Sequence, residues 1–173
     1  VWTDRYEDVL ASGVEFGGRS VLDAGCNVGI VAYEIAKRGP AFIHGVDVDG
    51  FSVQAAREIF HAVPVRSRFE RLDLTRPGRL EAGLEPSYDV VLLLSVYQPI
   101  QKKVGTERAN SMVAALAARC REHFIVRVGE GFRDMLTPPL LAAGFLLSHD
   151  GVKARTDFSP ISIFSREPSA RTA

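Results

Sequence analysis

Three acidic residues, Asp23, Asp47 and Asp73, each close a segment that reads as a β-strand, and Gly25 and Gly29 follow the first of them at once. Carboxylates so placed accept hydrogen bonds from hydroxyl and amino groups, and glycine lets a backbone come close to a ligand. The strand Ser20–Asp23, the turn, an amphipathic helix over Ile30–Arg38 and a second strand over Phe42–Val46 make a nucleotide-binding βαβ unit. The turn narrows the ligand. A dinucleotide turn needs G-x-G-x-x-G, and here that frame reads Gly25, Asn27, Ile30, with two of three positions failing. A P-loop needs Lys-Ser or Lys-Thr after the turn, and neither follows. What remains suits a ligand without phosphate, whose amino-acid portion lies across backbone amides. Asp23 would repel a pyrophosphate but suits a cationic group, met directly or through water.

The rest of the chain must position these residues. Helical spacing marks a short N-terminal helix near Asp4–Ala11 and another over Phe51–Phe60, with Ala55, Ala56, Ile59 and Phe60 on one face. A third strand covers Arg68–Leu72. A short helix near Gly78–Ala82 leads to Tyr88–Ser95, whose Val/Leu run suits a strand buried on both faces. Thr106 and Glu107 are expected to cap a helix reaching Arg119, and His123–Val128 is the fifth strand. Thr137-Pro138 predicts a break of Phe132–Ala143 into two short helices. Phe145–His149 and Ile161–Arg166 close the chain, with a turn signal at Asp150-Gly151. Alternating strands and helices predict a parallel sheet with helices on both faces, ending in one antiparallel strand.

Composition sets bounds. The 173 residues suffice for one domain with a sizeable core, taken here as 1–173. Lys plus Arg and Asp plus Glu balance at 21 each, so no global field favours nucleic acid or an anionic membrane. Arg66, Arg68 and Arg71 cluster, and are read as a solvated edge strand. The longest aliphatic run, Val90–Leu94, is too short to span a bilayer. No signal-peptide or disulfide pattern is seen, which points to the cytoplasm. The first residue is Val rather than Met, which suggests either a trimmed chain or a domain cut from a longer one.

Residues 21–29 resemble motif I of the class I S-adenosylmethionine-dependent methyltransferases, an acid followed by G-x-G-x-G, with Asn27 in place of the middle glycine. Asn tolerates left-handed backbone better than other non-glycine residues. The resemblance covers essentially the whole chain. It implies an α/β, Rossmann-like three-layer sandwich with strand order 3-2-1-4-5-7-6, and S-adenosylmethionine as cofactor, leaving S-adenosylhomocysteine. It implies that Gly25, Cys26, Asn27 and Gly29 carry the methionine part beside Asp23. Asp47 then takes the ribose hydroxyls with Val48 beside it, Asp73 the adenine amino group, and Leu74 supplies an amide and an apolar wall. Asp49 is the rival ribose ligand but is expected to cap the following helix. Ser95 begins the segment that touches both cofactor and acceptor. Tyr6, with Trp2 and Arg5, either covers the cofactor mouth or packs on the domain edge.

The acceptor is less legible. Ser95-Val96-Tyr97-Gln98-Pro99 lacks the Asn/Asp-Pro-Pro-aromatic signature of amino-methylating families and the Cys of cytosine C5 methylation. Cys120 is expected to be a buried structural thiol. His44, His61, His123 and His149 have no spacing partner for a metal. If the acceptor needs a general base, Tyr97, Glu130 and His149 are the candidates. The leading expectation is a small-molecule methyltransferase acting on O, N or C. The alternatives are an RNA methyltransferase domain that needs a partner, using Arg66, Arg68, Arg71, Lys102 and Lys103, and a non-catalytic cofactor-binding domain.

Overall fold

The computed structural model of the chain describes residues 4–129, 131–152 and 159–166. The expectations placed on Trp2, on Glu130 and on the side chain of Arg5 lie outside the described residues. In chain order the elements are α1 Asp4–Leu10, β1 Ser20–Ala24, α2 Ile30–Ala36, β2 Phe42–Asp47, α3 Gly50–Phe60, β3 Ser67–Arg71 and α4 Pro77–Gly83. They continue with β4 Tyr88–Leu94, α5 Tyr97–Val104, α6 Thr106–Ala117, β5 Cys120–Arg127, α7 Phe132–Ala142, β6 Leu146–Val152 and β7 Ile161–Ser165. The sheet has the expected order β3-β2-β1-β4-β5-β7-β6. β7 runs antiparallel to both β5 and β6, and the pairs from β3 to β5 are parallel.

Side-chain alternation along the strands splits the core between the two faces. Val21, Ile43, Val90, Leu92 and Ile125 pack with α2 and α3 residues on one face. Leu22, Ala24, Val91, Leu93, Phe124 and Val126 pack with α6 and α7 residues on the other. Strand order reverses between β1 and β4, where Asp23 lies opposite Leu92 on one side and Gly45 on the other. The register therefore brings Asp23, Asp47 and Ser95 to a single edge, the place where open α/β sheets bind ligands.

Polar residues are set into this core as well, among them His44. His44 is fully buried in β2. Glu85 donates its backbone N–H to the Tyr88 hydroxyl at 2.8 Å, and that hydroxyl is hydrogen-bonded to His44 Nδ1 at 2.6 Å. On the other side of the ring, Nε2 lies 3.2 Å from a Glu70 carboxylate oxygen and 3.4 Å from Arg68 Nε. Burial, then the Arg68 charge, lowers the His44 pKa, so the ring is neutral and structural.

Several local expectations are corrected. Residues 97–104 form a helix, α5, where the sequence analysis placed no element; Pro99 sits in its first turn, where a missing N–H costs little. Thr106 is the first residue of α6 rather than its cap, which is Gly105, and its hydroxyl accepts from Gln101 Nε2 at 3.1 Å. α7 is one helix through Pro138 and Pro139 instead of two. Pro139 cannot donate to the Met135 carbonyl, and Asn110 of α6 donates its side-chain amide there at 2.9 Å. Asp150-Gly151 lies inside β6, at a register shift in its pairing with β7, instead of forming a turn. Cys120 opens β5 rather than ending a helix; it is buried as expected, and burial pushes its thiol up to about 12.

Other expectations hold. Asp49 caps α3, accepting from Phe51 N and Ser52 N. β3 is an edge strand, where Arg68 pairs with Glu70 and Glu85, each at 3.0 Å. Arg66 lies over the Phe42 ring, and Arg71 donates to the Val48 carbonyl at 3.0 Å. Among the described residues no helix is long and apolar enough to cross a membrane.

Candidate cofactor and acceptor site

The turn after β1 is held by its own backbone and by Asp47. Gly25 and Cys26 both donate their N–H to the Val46 carbonyl, at 2.8 and 3.0 Å, and Gly29 donates to the Cys26 carbonyl at 2.9 Å. Asn27 N–H donates to Asp47 Oδ2 at 2.8 Å, and Val28 N–H to the Asn27 side-chain oxygen at 2.7 Å. Asn27 has φ +49, the left-handed backbone that its residue type tolerates. Gly25 has φ +89, and a Cβ there would lie 2.2 Å from Val96 Cγ2, so only glycine fits. The five amides from Gly25 to Gly29 are thus all engaged within the chain. Gly25, Cys26, Asn27 and Val28 line the cavity beside this turn together with Ile30 and Val31 of α2 and Arg127 of β5.

Asp23 sits at the base of this small cavity, 3% exposed. Its Oδ2 has no hydrogen-bond partner. Burial, and then the nearby Asp47 charge, raises its pKa to about 7. A buried carboxyl with an unpartnered oxygen costs stability unless something meets it, so the position fits a cationic ligand group. Cys26 packs beside it with its thiol pKa raised by burial, then by the Asp23 and Asp47 charges, which makes it inert.

Gly25 and Ser95 connect this cavity to a cleft of about 290 Å³ lined by Asp47, Val48, Asp73, Leu74, Val96 and Ile100, among others. The Asp47 carboxylate accepts the amides of Asn27 and, at 2.9 Å, Asp49, and so ties the two ligand-facing loops together. An ionised carboxylate has about four lone-pair sites, which leaves capacity for a ligand. Asp73 accepts the Thr75 hydroxyl at 2.6 Å and its amide at 3.0 Å, and the hydroxyl bond leads the lowering of its pKa. Ser95 has φ +63, a strained conformation for a non-glycine residue; such strain costs about 1–3 kcal/mol and collects at functional sites.

The site thus gathers Asp23, Gly25, Cys26, Asn27, Asp47, Val48, Asp73, Leu74 and Ser95 around two connected spaces. Gly29 lies behind them as the residue before α2, with φ +79. Tyr97 and His149 are not brought there. Tyr97 is fully buried and donates its hydroxyl to Asn110 at 2.7 Å, and burial raises its pKa. His149 lies on the exposed edge strand β6, next to Ser148. Tyr6 lies near Lys37, at the far end of α2.

Residues that the sequence reading missed are equally informative. Val96, the cap residue of α5, and Ile100 and Lys103 within it line the larger cleft, and their spacing of four and three is a helical signal. Arg127 lines the smaller cavity while 3% exposed. Its guanidinium donates to Asp8 of α1 at 2.7 Å and to the Ser159 carbonyl at 3.2 Å.

The topology and this carboxylate-lined edge agree with the match of residues 21–118 to the methyltransferase domain family. This chain belongs to the methyltransferase domain family. The class I methyltransferase fold follows as well: a magnesium protoporphyrin IX methyltransferase from Synechocystis, crystallised with S-adenosylmethionine, superposes with a TM-score of 0.71 at 24% identity, over 92% of this chain and 74% of that one. A ribosomal protein L11 methyltransferase of Thiobacillus denitrificans is 34% identical over 105 residues, 61% of this chain and 30% of the relative. A ubiquinone biosynthesis O-methyltransferase of Neisseria meningitidis is 29% identical over 102 residues, 59% of this chain and 42% of the relative. The matched segments span less than half the length of these curated relatives.

The Asp23 environment gives a pH dependence. Its carboxyl is harder to ionise in the folded, ligand-free chain than in the unfolded one, so the folded state binds more protons between about pH 4 and pH 7. Stability therefore falls as pH rises through that window. A cationic ligand group beside Asp23 reverses the preference, so binding releases a proton below about pH 7 and affinity rises with pH up to there. Calorimetry of adenosylhomocysteine in buffers of different ionisation enthalpy measures the proton directly. Asp23→Asn should abolish both the release and the stability slope.

Proposed function

We propose that residues 1–173 act as one catalytic domain that binds S-adenosylmethionine across the carboxyl ends of β1, β2 and β4 and methylates a small-molecule acceptor. The observation that carries this reading is the unpartnered, buried Asp23 oxygen in a cavity that opens, past Gly25 and Ser95, into the Asp47–Asp73 cleft. Asp23 would meet the ammonium of the methionine part, and Arg127 with the first amides of α2 its carboxylate. Asp47 would hold the ribose hydroxyls, while Val48, Leu74 and Ile100 enclose the adenine and Asp73 faces its amino group. The cofactor supplies a methyl group on a positive sulfur, which passes to an acceptor lone pair as the carbon–sulfur bond breaks and its electrons return to sulfur.

The chain's own task is alignment and exclusion of water, which can lower a barrier by roughly 7–11 kcal/mol without a covalent nucleophile. The small-molecule reading is supported over the RNA alternative by the state of the arginines: Arg66, Arg68 and Arg71 are engaged with Phe42, Glu70, Glu85 and Val48. Amide resonances test the reading. Adenosylhomocysteine should shift Gly25, Asn27, Asp47 and Leu74 and leave Leu146 and Leu147 of β6 unmoved. Binding that moved β6 and spared the four would contradict it, and binding without methyl transfer to any acceptor would favour the non-catalytic domain.

A further inference from the structure

A third space, of about 100 Å³, adjoins the two described and belongs to neither. It is lined by Ser95, Gln98, Arg127, Val128, Gly129 and Ser159, and it shares Ser95 and Arg127 with the cavity above Asp23. It therefore begins where the methionine end of the site stops. Its walls come from the ends of β4 and β5, the first turn of α5 and the residue two before β7.

Gln98 is the distinctive group. It is half-buried, yet its carboxamide makes no hydrogen bond among the described residues. Gly129 faces it. A Cβ at position 129 would stand 3.2 Å from Gln98 Oε1, tight enough that the amide would have to move. Gly129 does not adopt the left-handed backbone, so space and not conformation calls for a glycine here. The carboxamide oxygen thus lies against the bare backbone of Gly129, and Gln98 borders the cavity.

The lining also has a definite polarity. Ser95 Oγ and Gln98 Nε2 can both donate, and the one charged side chain in the described lining is the Arg127 guanidinium, held from the α1 side by Asp8. An ammonium would meet these donors with no acidic side chain in the described lining to face it, whereas a carboxylate could accept from both Ser95 and Gln98.

We propose that this space is the acceptor subsite and that Gln98, with Ser95, holds the acceptor by a carboxylate group, so the substrate is a small organic acid. The inference rests on the methyl-transfer reading above, and its test separates the two. Adenosylhomocysteine binding is measured first by calorimetry; its absence would sink both ideas. With the protein saturated, benzoate, benzamide and benzylamine are titrated while the side-chain ¹⁵N amide of Gln98 is followed.

Benzoate should bind best and shift that amide. Loss of one hydrogen bond to a charged group predicts about a tenfold weaker benzoate affinity in Gln98→Ala, with adenosylhomocysteine affinity unchanged. Gly129→Ala, which displaces the amide and keeps it, should weaken benzoate in the same direction. Adenosylhomocysteine binding combined with no benzoate binding, with benzoate affinity indifferent to Gln98→Ala, or with a preference for benzylamine would overturn the acid-acceptor assignment and leave the methyl-donor site standing.

Discussion

Asp8→Ala is expected to lower the unfolding free energy by about 3–5 kcal/mol, the cost of removing one partner of a buried ion pair. Asp8 is fully buried, and Arg127 is 3% exposed. Their 2.7 Å contact joins residues 119 positions apart, binding α1 to the end of β5. The substitution strips a buried guanidinium of this carboxylate. Denaturant titration should show a lower midpoint, with a two-state fit checked by fluorescence and circular dichroism together. Replacing Arg127 by Met in the same chain should recover much of the loss, because the buried charge goes with it. A loss under about 1 kcal/mol for the single variant would mean that water reaches the pair. The same contact has a functional side, since Arg127 lines both the methionine-end cavity and the proposed acceptor space.

The second large effect falls on binding. Asp47→Ala should weaken adenosylhomocysteine at least about 100-fold, since two charge-assisted hydrogen bonds are each worth about 1.5–3 kcal/mol. Asp47 also accepts the amides of Asn27 and Asp49, so its removal loosens the turn that encloses the methionine part. Asp49→Ala is the control. It removes the α3 cap, costing about 1 kcal/mol of stability, and should change affinity by less than about fivefold. Comparable losses from both variants would show that loop order, and not the ribose contact, governs affinity.

How much of this was legible follows from range in the sequence. Alternating elements made a mostly parallel sheet with one antiparallel closing strand readable, and the strand order itself came from the motif I resemblance. Asp47 and Asn27 were readable because their positions depend on local turn chemistry. α5 was hidden because Pro99 and the neighbouring Ser95 look like loop residues, although the Val96, Ile100, Lys103 spacing carried the helical period. The continuous α7 was unreadable for a different reason: Asn110, on another helix, meets the carbonyl that Pro139 leaves without a donor. Arg127 had no signal at all. Its partner lies 119 residues away, and an arginine inside an apolar strand gives no hint of which cavity it lines. Gln98 fell within the segment expected to touch the acceptor, but its setting against the missing side chain of Gly129 could not be read from the sequence.

The central claim is that the turn at residues 23–29 and the Asp47–Asp73 cleft select an adenosyl amino acid over a phosphate-bearing nucleotide. One calorimetric comparison on the wild-type chain tests it most directly. Adenosylmethionine and adenosylhomocysteine should bind with one-to-one stoichiometry while NAD gives no heat above dilution. Binding of NAD as tight as that of adenosylhomocysteine, or no binding of either adenosyl ligand, would contradict the account.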